Sequence, residues 1–345
     1  MKKLIPLLLL ICFGCQNNTE KKDQVQQVTE SNTNQQGVFK LVDSVSLCMP
    51  PSPVCKKDTS TIALKNEILT YEQAYNQALT LWQLTFEEVY IKTSFGKAHV
   101  LVCGPKDGEP MVLLHGMDAS STMWYPNIKS LAKQYRVYAI DFLLEPGKSV
   151  CLEEIKHTNQ IIDWYYEIFD DIKLKKFNII GASRGGWLAI NIALHDKARI
   201  KKMALLSPAQ TFAWIKLGPQ TLFNIAYSIF PKRKKFRNVM ETMTVDIDNI
   251  SQIYLNQYYL ATKKGIFHKC FLQMTPFSDK DLKTLKMPIL VLIGDHDIIN
   301  SAKSLKRAKK VFSNLMAEEV KNSGHFLSFD QAELINKKLL DFFNR

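Results

Sequence analysis

Gly181-Ala182-Ser183-Arg184-Gly185 lies between an apolar run, Phe177-Asn178-Ile179-Ile180, and a second one that begins at Trp187. One hydroxyl is thus set in a turn of small residues. G-x-S-x-G in a strand–turn–helix context is the signature of a nucleophile elbow. The small flanking residues let strand and helix approach closely. The hydroxyl then stands at a helix N-terminus, where the dipole favours developing negative charge.

A serine hydroxyl is a weak nucleophile without a base, and the base needs an acid to orient it. In this context both are expected downstream of the serine, in the order Ser, Asp, His. His325 lies in a Gly-containing loop after the last apolar run and is the best-placed base. Its rival is His296, which directly follows a strand-like segment. His99, His157, His195 and His268 fall in strand or helical stretches. For the acid, Asp297 stands further past the end of "PILVLIG" than Asp295, which is kept as the alternative. Asp141 precedes the serine and is read as structural. Two backbone N–H groups are needed for the oxyanion, and they are expected from Arg184 and from Met117 in the loop after "MVLLHG". His115 and Gly116 are expected to shape that loop. No spacing suited to a metal is present, and neither metal nor cofactor is implied.

These groups must be carried by a scaffold. From "TYEQAYNQALTLW" onward, short apolar runs alternate with segments of helical periodicity. Runs apolar on both faces predict a mostly parallel sheet covered by helices on both sides. The first two runs have no helix between them and predict an antiparallel lead-in. The alternation stops between Ser207 and Lys286, which predicts a helical lid over the C-terminal edge of the sheet, the edge where open α/β sheets bind ligands. The expected division is a catalytic domain over 61–207 and 286–345, with a lid over 208–285.

The N-terminus differs from the rest. Lys2 and Lys3, an apolar stretch from Leu4 to Phe13, and the Gly14-Cys15 boundary resemble a bacterial lipoprotein signal over 1–14, with Cys15 as the lipidated residue. Several acyl chains on one residue make a stable anchor. Residues 16–37 hold almost nothing to bury and read as a tether, and an irregular lead-in continues to about residue 60. The expectation is export, with anchoring to a bacterial membrane on the periplasmic or outer surface. Loss of Lys2 and Lys3 lowers the net charge from +12 to +10. "KRKKFR" (232–237) reads as a solvated helical face, with contact to anionic lipid as the lesser reading. Basic and aromatic residues are not interleaved as nucleic-acid binding would require. Of seven cysteines, five remain if Cys12 is removed and Cys15 acylated, so at least one thiol stays unpaired within the chain. Cys48 and Cys55 bracket a short loop that could close in an oxidising compartment.

"HVLVCGP", "MVLLHG", "SSTMWYPNI", "GASRGG", "LLSPAQTF" and "NSGHFLS", in this order, resemble an α/β-hydrolase, from about Tyr71 to Phe343. More narrowly they resemble bacterial carboxylesterases of the naproxen-esterase type. The resemblance implies hydrolysis of small-molecule esters with Ser183, Asp297 and His325 as triad. Acyltransfer, C–C bond hydrolysis and small-peptide hydrolysis are open to the same triad, and a tethered binding protein without turnover is the reading from another class. One position departs from the family, where the residue after the nucleophile is usually apolar: here it is Arg184. Its side chain either forms an ion pair beneath the lid or reaches the pocket and favours substrates with a carboxylate or phosphate.

Overall fold

A computed structural model describes residues 69–215, 217–264 and 274–345. The expectations placed on the signal, Cys15, the tether, Cys48 and Cys55 lie outside the described residues, as do His268 and Cys270. The described residues belong to one compact unit, Leu64–Arg345.

The chain enters through helix α1, Tyr71–Leu79, whose start is fixed by a capping box between Thr70 and Gln73. The strands follow as β1 Phe86–Thr93, β2 Gly96–Cys103, β3 Glu109–Leu114, β4 Tyr135–Asp141, β5 Val150–Cys151, β6 Phe177–Ala182, β7 Ile200–Leu206, β8 Ile289–Gly294 and β9 Leu315–Val320. They form one sheet in the order β1-β2-β4-β3-β6-β7-β8-β9, with β5 paired to the start of β2. The β1–β2 hairpin is antiparallel, and β2 runs antiparallel to β4. From β4 to β9 every pairing is parallel. The two-residue β5 is the one strand among the described residues that the sequence pattern does not reveal, because it is too short to show periodicity.

Helices α2 Thr158–Asp171, α3 Arg184–His195 and α7 Ala302–Val311 contribute to the core on one face of the sheet. Helices α1 and α8 Ala332–Phe343 serve the other. Side chains of a strand alternate between faces, and the central strands show this directly. Val112 and Leu114 of β3 join the first core, while Met111 and Leu113 join the second. In β8, Ile289, Val291 and Ile293 alternate in the same way with Leu290 and Leu292. All six residues of β6 and all six of β8 are buried. A sheet buried on both faces requires such continuous apolar runs.

Between β7 and β8 the described residues contain no strand but three long helices, α4 Pro219–Ile229, α5 Arg233–Met243 and α6 Gln252–Lys264, and the single turns Ile247–Asn249 and Asp279–Leu282. This insertion is attached at the C-terminal edge of the parallel strands. Gln257 of α6 is buried; it donates to Ser120 Oγ at 2.8 Å and accepts from Thr122 Oγ1 at 2.6 Å. Phe326 N–H donates to Met243 O at 2.9 Å, beyond β9.

Asp141 ends β4 and is fully buried. It accepts hydrogen bonds from Tyr75 Oη, the backbone N–H groups of Ser121 and Lys148, and His99 Nδ1, each at 2.8–2.9 Å. Burial pushes its carboxyl up, but the hydrogen bond and charge of His99 outweigh this and hold it well below the usual carboxylate range. Asp141 therefore ties α1, β2 and two loops to the end of the sheet.

Candidate active site

Ser183 sits between β6 and α3 with φ 51° and ψ −116°. A non-glycine residue in this region costs on the order of 1–3 kcal/mol and persists only where its surroundings fix it. Here they do. Ser183 N–H donates to Leu206 O at 2.9 Å, and Ser183 O accepts from Gly186 N–H at 3.0 Å and from Ala209 N–H at 3.1 Å. The glycines are required by close approach. A Cβ at Gly181 would lie 2.3 Å from Gly185 O, and one at Gly185 would lie 2.1 Å from Leu114 O.

His325 follows β9 and is 5% exposed. Its Nε2 lies 2.8 Å from Ser183 Oγ, and its Nδ1 lies 3.0 and 3.1 Å from the two carboxylate oxygens of Asp297. An ionised carboxylate only accepts, so the imidazole proton resides on Nδ1 and Nε2 is left to accept from the serine O–H. Asp297 is buried and also accepts from the N–H groups of Ile299 and Asn300 and from Asn300 Nδ2 at 2.8–3.0 Å. Burial raises its carboxyl, but the charge of His325 and the hydrogen bonds from His325 and Asn300 prevail and hold it at about 2.

The turn after β8 decides between the candidates of "GDHD". Asp297 N–H closes onto Gly294 O at 3.2 Å, which turns Asp297 inward. The His296 side chain is 64% exposed and pairs with Asp295 at 2.8 Å. Asp295 also accepts from Ser323 N–H and does not reach His325. The two loops meet closely because Gly294 lacks a Cβ, which would lie 2.2 Å from Ser323 O.

Met117 follows β3 by three residues and is 46% exposed. Among the described residues its N–H donates to no protein group. Gly116 lies beneath Ser183; a Cβ there would stand 3.3 Å from Ser183 Cβ. The His115 ring accepts Phe142 N–H on Nε2 at 2.8 Å, so Nδ1 carries the proton and donates to Gly116 O at 2.9 Å. Burial pushes the His115 imidazole down to about 4, against the opposing pull of Asp141 and the Gly116 carbonyl. His115 is therefore a neutral brace of the loop at pH 7. Because its folded pKa lies below the usual 6.5, the unfolded chain binds the proton more readily, and stability falls as pH drops from 6.5 towards 4. The loss amounts to about 3 kcal/mol when complete. His115→Gln keeps an acceptor for Phe142 and removes the titration. Thermal unfolding of this variant is expected to vary less between pH 6.5 and 4 than that of the wild type; parallel curves would contradict the assignment.

Arg184 is 2% exposed, and its guanidinium pairs with Glu145. This is the ion-pair alternative of the two that the sequence leaves open. Glu145 itself has a sequence signal, a lone carboxylate within "FLLEP", but its partner is 39 positions away and no periodicity links them. Asp330 was likewise not legible: it accepts from Thr244 Oγ1 and from the N–H groups of Val245 and Gly324, joining the end of α5 to the His325 loop. Cys103 is buried in β2, and burial pushes its thiol up to about 12. Among the described residues no group of three or more His, Cys, Asp or Glu could hold a metal ion, and no helix is long and apolar enough to cross a membrane.

The sheet order, the elbow between β6 and α3 and the side chains converging there define an α/β-hydrolase, and the chain belongs to that family. Residues 109–228 match its alpha/beta hydrolase fold profile. Within it the chain is an enzyme of carboxylesterase type. It is similar to the uncharacterized carboxylesterase nap of Bacillus subtilis (strain 168), 33% identical over 295 residues, 81% of this chain and 94% of that protein. Carboxylesterase YbfK of the same organism is 30% identical over 293 residues, 83% of this chain and 97% of its own. The crystal structure of naproxen esterase (carboxylesterase NP) from Bacillus subtilis superposes with a TM-score of 0.75 at 32% identity, covering 81% of this chain and 99% of that one.

Proposed function

We propose that the protein hydrolyses small-molecule carboxylic esters through an acyl-enzyme on Ser183. The observation that carries this reading is the continuous relay Ser183 Oγ–His325–Asp297, with contacts of 2.8, 3.0 and 3.1 Å. His325 Nε2 takes the hydroxyl proton as Oγ bonds to the ester carbonyl carbon. The carbonyl oxygen becomes an oxyanion and is held by the N–H groups of Met117 and Arg184. The C–O bond to the alcohol breaks as His325 returns the proton to the departing oxygen. Water then gives a proton to His325 and attacks the acyl-enzyme, and the acid leaves as Ser183 regains its proton. Asp297 stays ionised and keeps the Nδ1–H tautomer.

The helical insertion is read as a lid, since α6 touches the oxyanion loop through Tyr258 Oη to Met117 O at 3.2 Å and α4 reaches Ile298 through Thr221. Export and anchoring through Cys15 complete the proposal and rest on the sequence of residues 1–37.

The test is hydrolysis of p-nitrophenyl esters. Ser183→Ala is expected to lower kcat at least about 10³-fold with the fold unchanged. Retention of more than about a tenth of the activity would overturn the mechanism.

A further inference from the structure

The Gly116–Met117 peptide is a planar trans unit, so the direction of its C=O sets the direction of its N–H. Gly116 O accepts from His115 Nδ1 at 2.9 Å and from Arg184 Nη2 at 3.4 Å. On the other side of Met117, the Asp118 N–H donates to Glu145 Oε2 at 2.8 Å. Asp118 has φ 54°, a conformation that a non-glycine residue keeps only when held. Arg184 and Glu145 are joined to each other, with side chains 2% and 6% exposed, and the guanidinium lies 5.4 Å from the centre of the Phe142 ring. The buried Arg184–Glu145 pair thus grips the backbone on both sides of residue 117; burial, with the nearby Asp118 carboxylate, pushes the Glu145 carboxyl up to about 7 against the pull of the Arg184 charge. Such a pair is poor evidence for stability, because an apolar pair of similar volume is often as stable or more so. Its geometry relates to the loop instead.

We propose that the Arg184–Glu145 ion pair is a positioning device that aims the Met117 N–H at the oxyanion. The inference rests on the ester-hydrolysis reading and deepens it. Arg184 then acts twice: its amide faces the oxyanion directly, and its side chain sets the second donor through Gly116. Glu145 touches no reacting atom and is a positioning residue only. The pair joins three loops, those after β3, β4 and β6, that must keep register for both amides to converge.

Truncating one partner strands a buried charge and endangers the fold. The decisive variant is therefore the double replacement Arg184→Met/Glu145→Leu, in which the Arg184 amide is retained. Kinetics on p-nitrophenyl acetate are combined with binding of two inhibitors of one skeleton. A trifluoromethyl ketone forms a hemiketal oxyanion on Ser183, whereas the methyl ketone stays planar. The expected result is a loss in kcat of about 10- to 100-fold, since the donor is misaimed rather than removed. KM should change less than about 3-fold. Affinity for the trifluoromethyl ketone should fall by the same factor as kcat/KM, and affinity for the methyl ketone should stay. A double variant with native circular dichroism, wild-type kcat and unchanged trifluoromethyl ketone affinity overturns the proposal.

Should the double variant fail to fold, Glu145→Gln decides. It keeps volume and an acceptor for Asp118 but loosens the grip on Arg184. A parallel fall in kcat/KM and trifluoromethyl ketone affinity supports positioning. No change, or equal change in both ketones, overturns it. Wild-type protein without esterase activity would overturn the functional reading instead, so the two failures are distinguishable.

Discussion

Asp297→Asn is expected to lower kcat by about 10⁴-fold without unfolding the protein, a loss of the size known for a triad whose acid is neutralised. The cause lies in the hydrogen bonds. Asp297 Oδ1 faces the Ile299 and Asn300 N–H groups, which require an oxygen. An asparagine therefore keeps its oxygen there and presents its NH₂ where Oδ2 now faces His325 Nδ1 and Asn300 Nδ2. The retained Oδ1 still lies 3.0 Å from Nδ1, so the loss comes from removing the negative charge that stabilises the imidazolium and from an NH₂ set against both Nδ1 and the Asn300 Nδ2 donor. The same carboxylate stabilises the fold. Its pKa of about 2 lies below the usual 3.8, so its contribution of about 2 kcal/mol is complete above pH 3.8 and is lost as pH falls through 2. Kinetics of Asp297→Asn and Asp295→Asn side by side check the assignment. A loss below about 10-fold for the first, or a larger loss for the second, would transfer the role to Asp295.

Gly185→Ala is expected to abolish the soluble fold or to lower Tm by more than about 10 °C, which for a domain of this size corresponds to several kcal/mol. The added methyl would lie 2.1 Å from Leu114 O, 2.6 Å from Leu114 C and 2.8 Å from His115 O. All three are backbone atoms of the central strand and its exit, so no side chain can yield. Relief would require α3 to lift off β3, which separates the elbow from the oxyanion loop. Gly218→Ala is the control, since nothing lies within 4 Å of its Cβ position; as the N-cap of α4 it should cost no more than about 1 kcal/mol. Thermal unfolding of both proteins gives the comparison. A Gly185→Ala protein melting within about 2 °C of wild type would contradict the close approach.

The scaffold was legible because its parts announce themselves locally. Runs such as "MVLLHG" and "PILVLIG" are apolar at every position, and only a strand covered on both faces needs that. The elbow was legible for a related reason: Gly181 and Gly185 are forced by contacts within one strand–helix unit and with its neighbouring strand. Asp297 and His325 could be ranked from their place after strands, but the choice over Asp295 and His296 depends on one turn. That turn is set by backbone bonds, Asp297 N–H to Gly294 O within it and His296 N–H to Ser323 O across to the neighbouring loop, which residue types alone do not specify.

What escaped the sequence consists of long-range polar pairs. Glu145 with Arg184, Thr244 with Asp330, and His99 with Asp141 each join residues 39 or more positions apart. A charge pair has no periodicity, so one chain read alone shows two isolated charges rather than a bond. The pairs share a location at the C-terminal edge of the sheet, where loops without regular hydrogen bonding must be fixed by side chains. The site is therefore held in two layers. Backbone geometry places Ser183 and Asp297, and buried polar pairs fix the loops of Met117 and His325.

The most direct test is the intact mass of the protein after exposure to a fluorophosphonate, followed by peptide mapping. One phosphonyl group is expected per chain, on the peptide containing Ser183, with labelling abolished in Ser183→Ala and strongly slowed in His325→Ala. Absence of an adduct, or an adduct on any other residue with Ser183 unmodified, would contradict the relay on which the account stands.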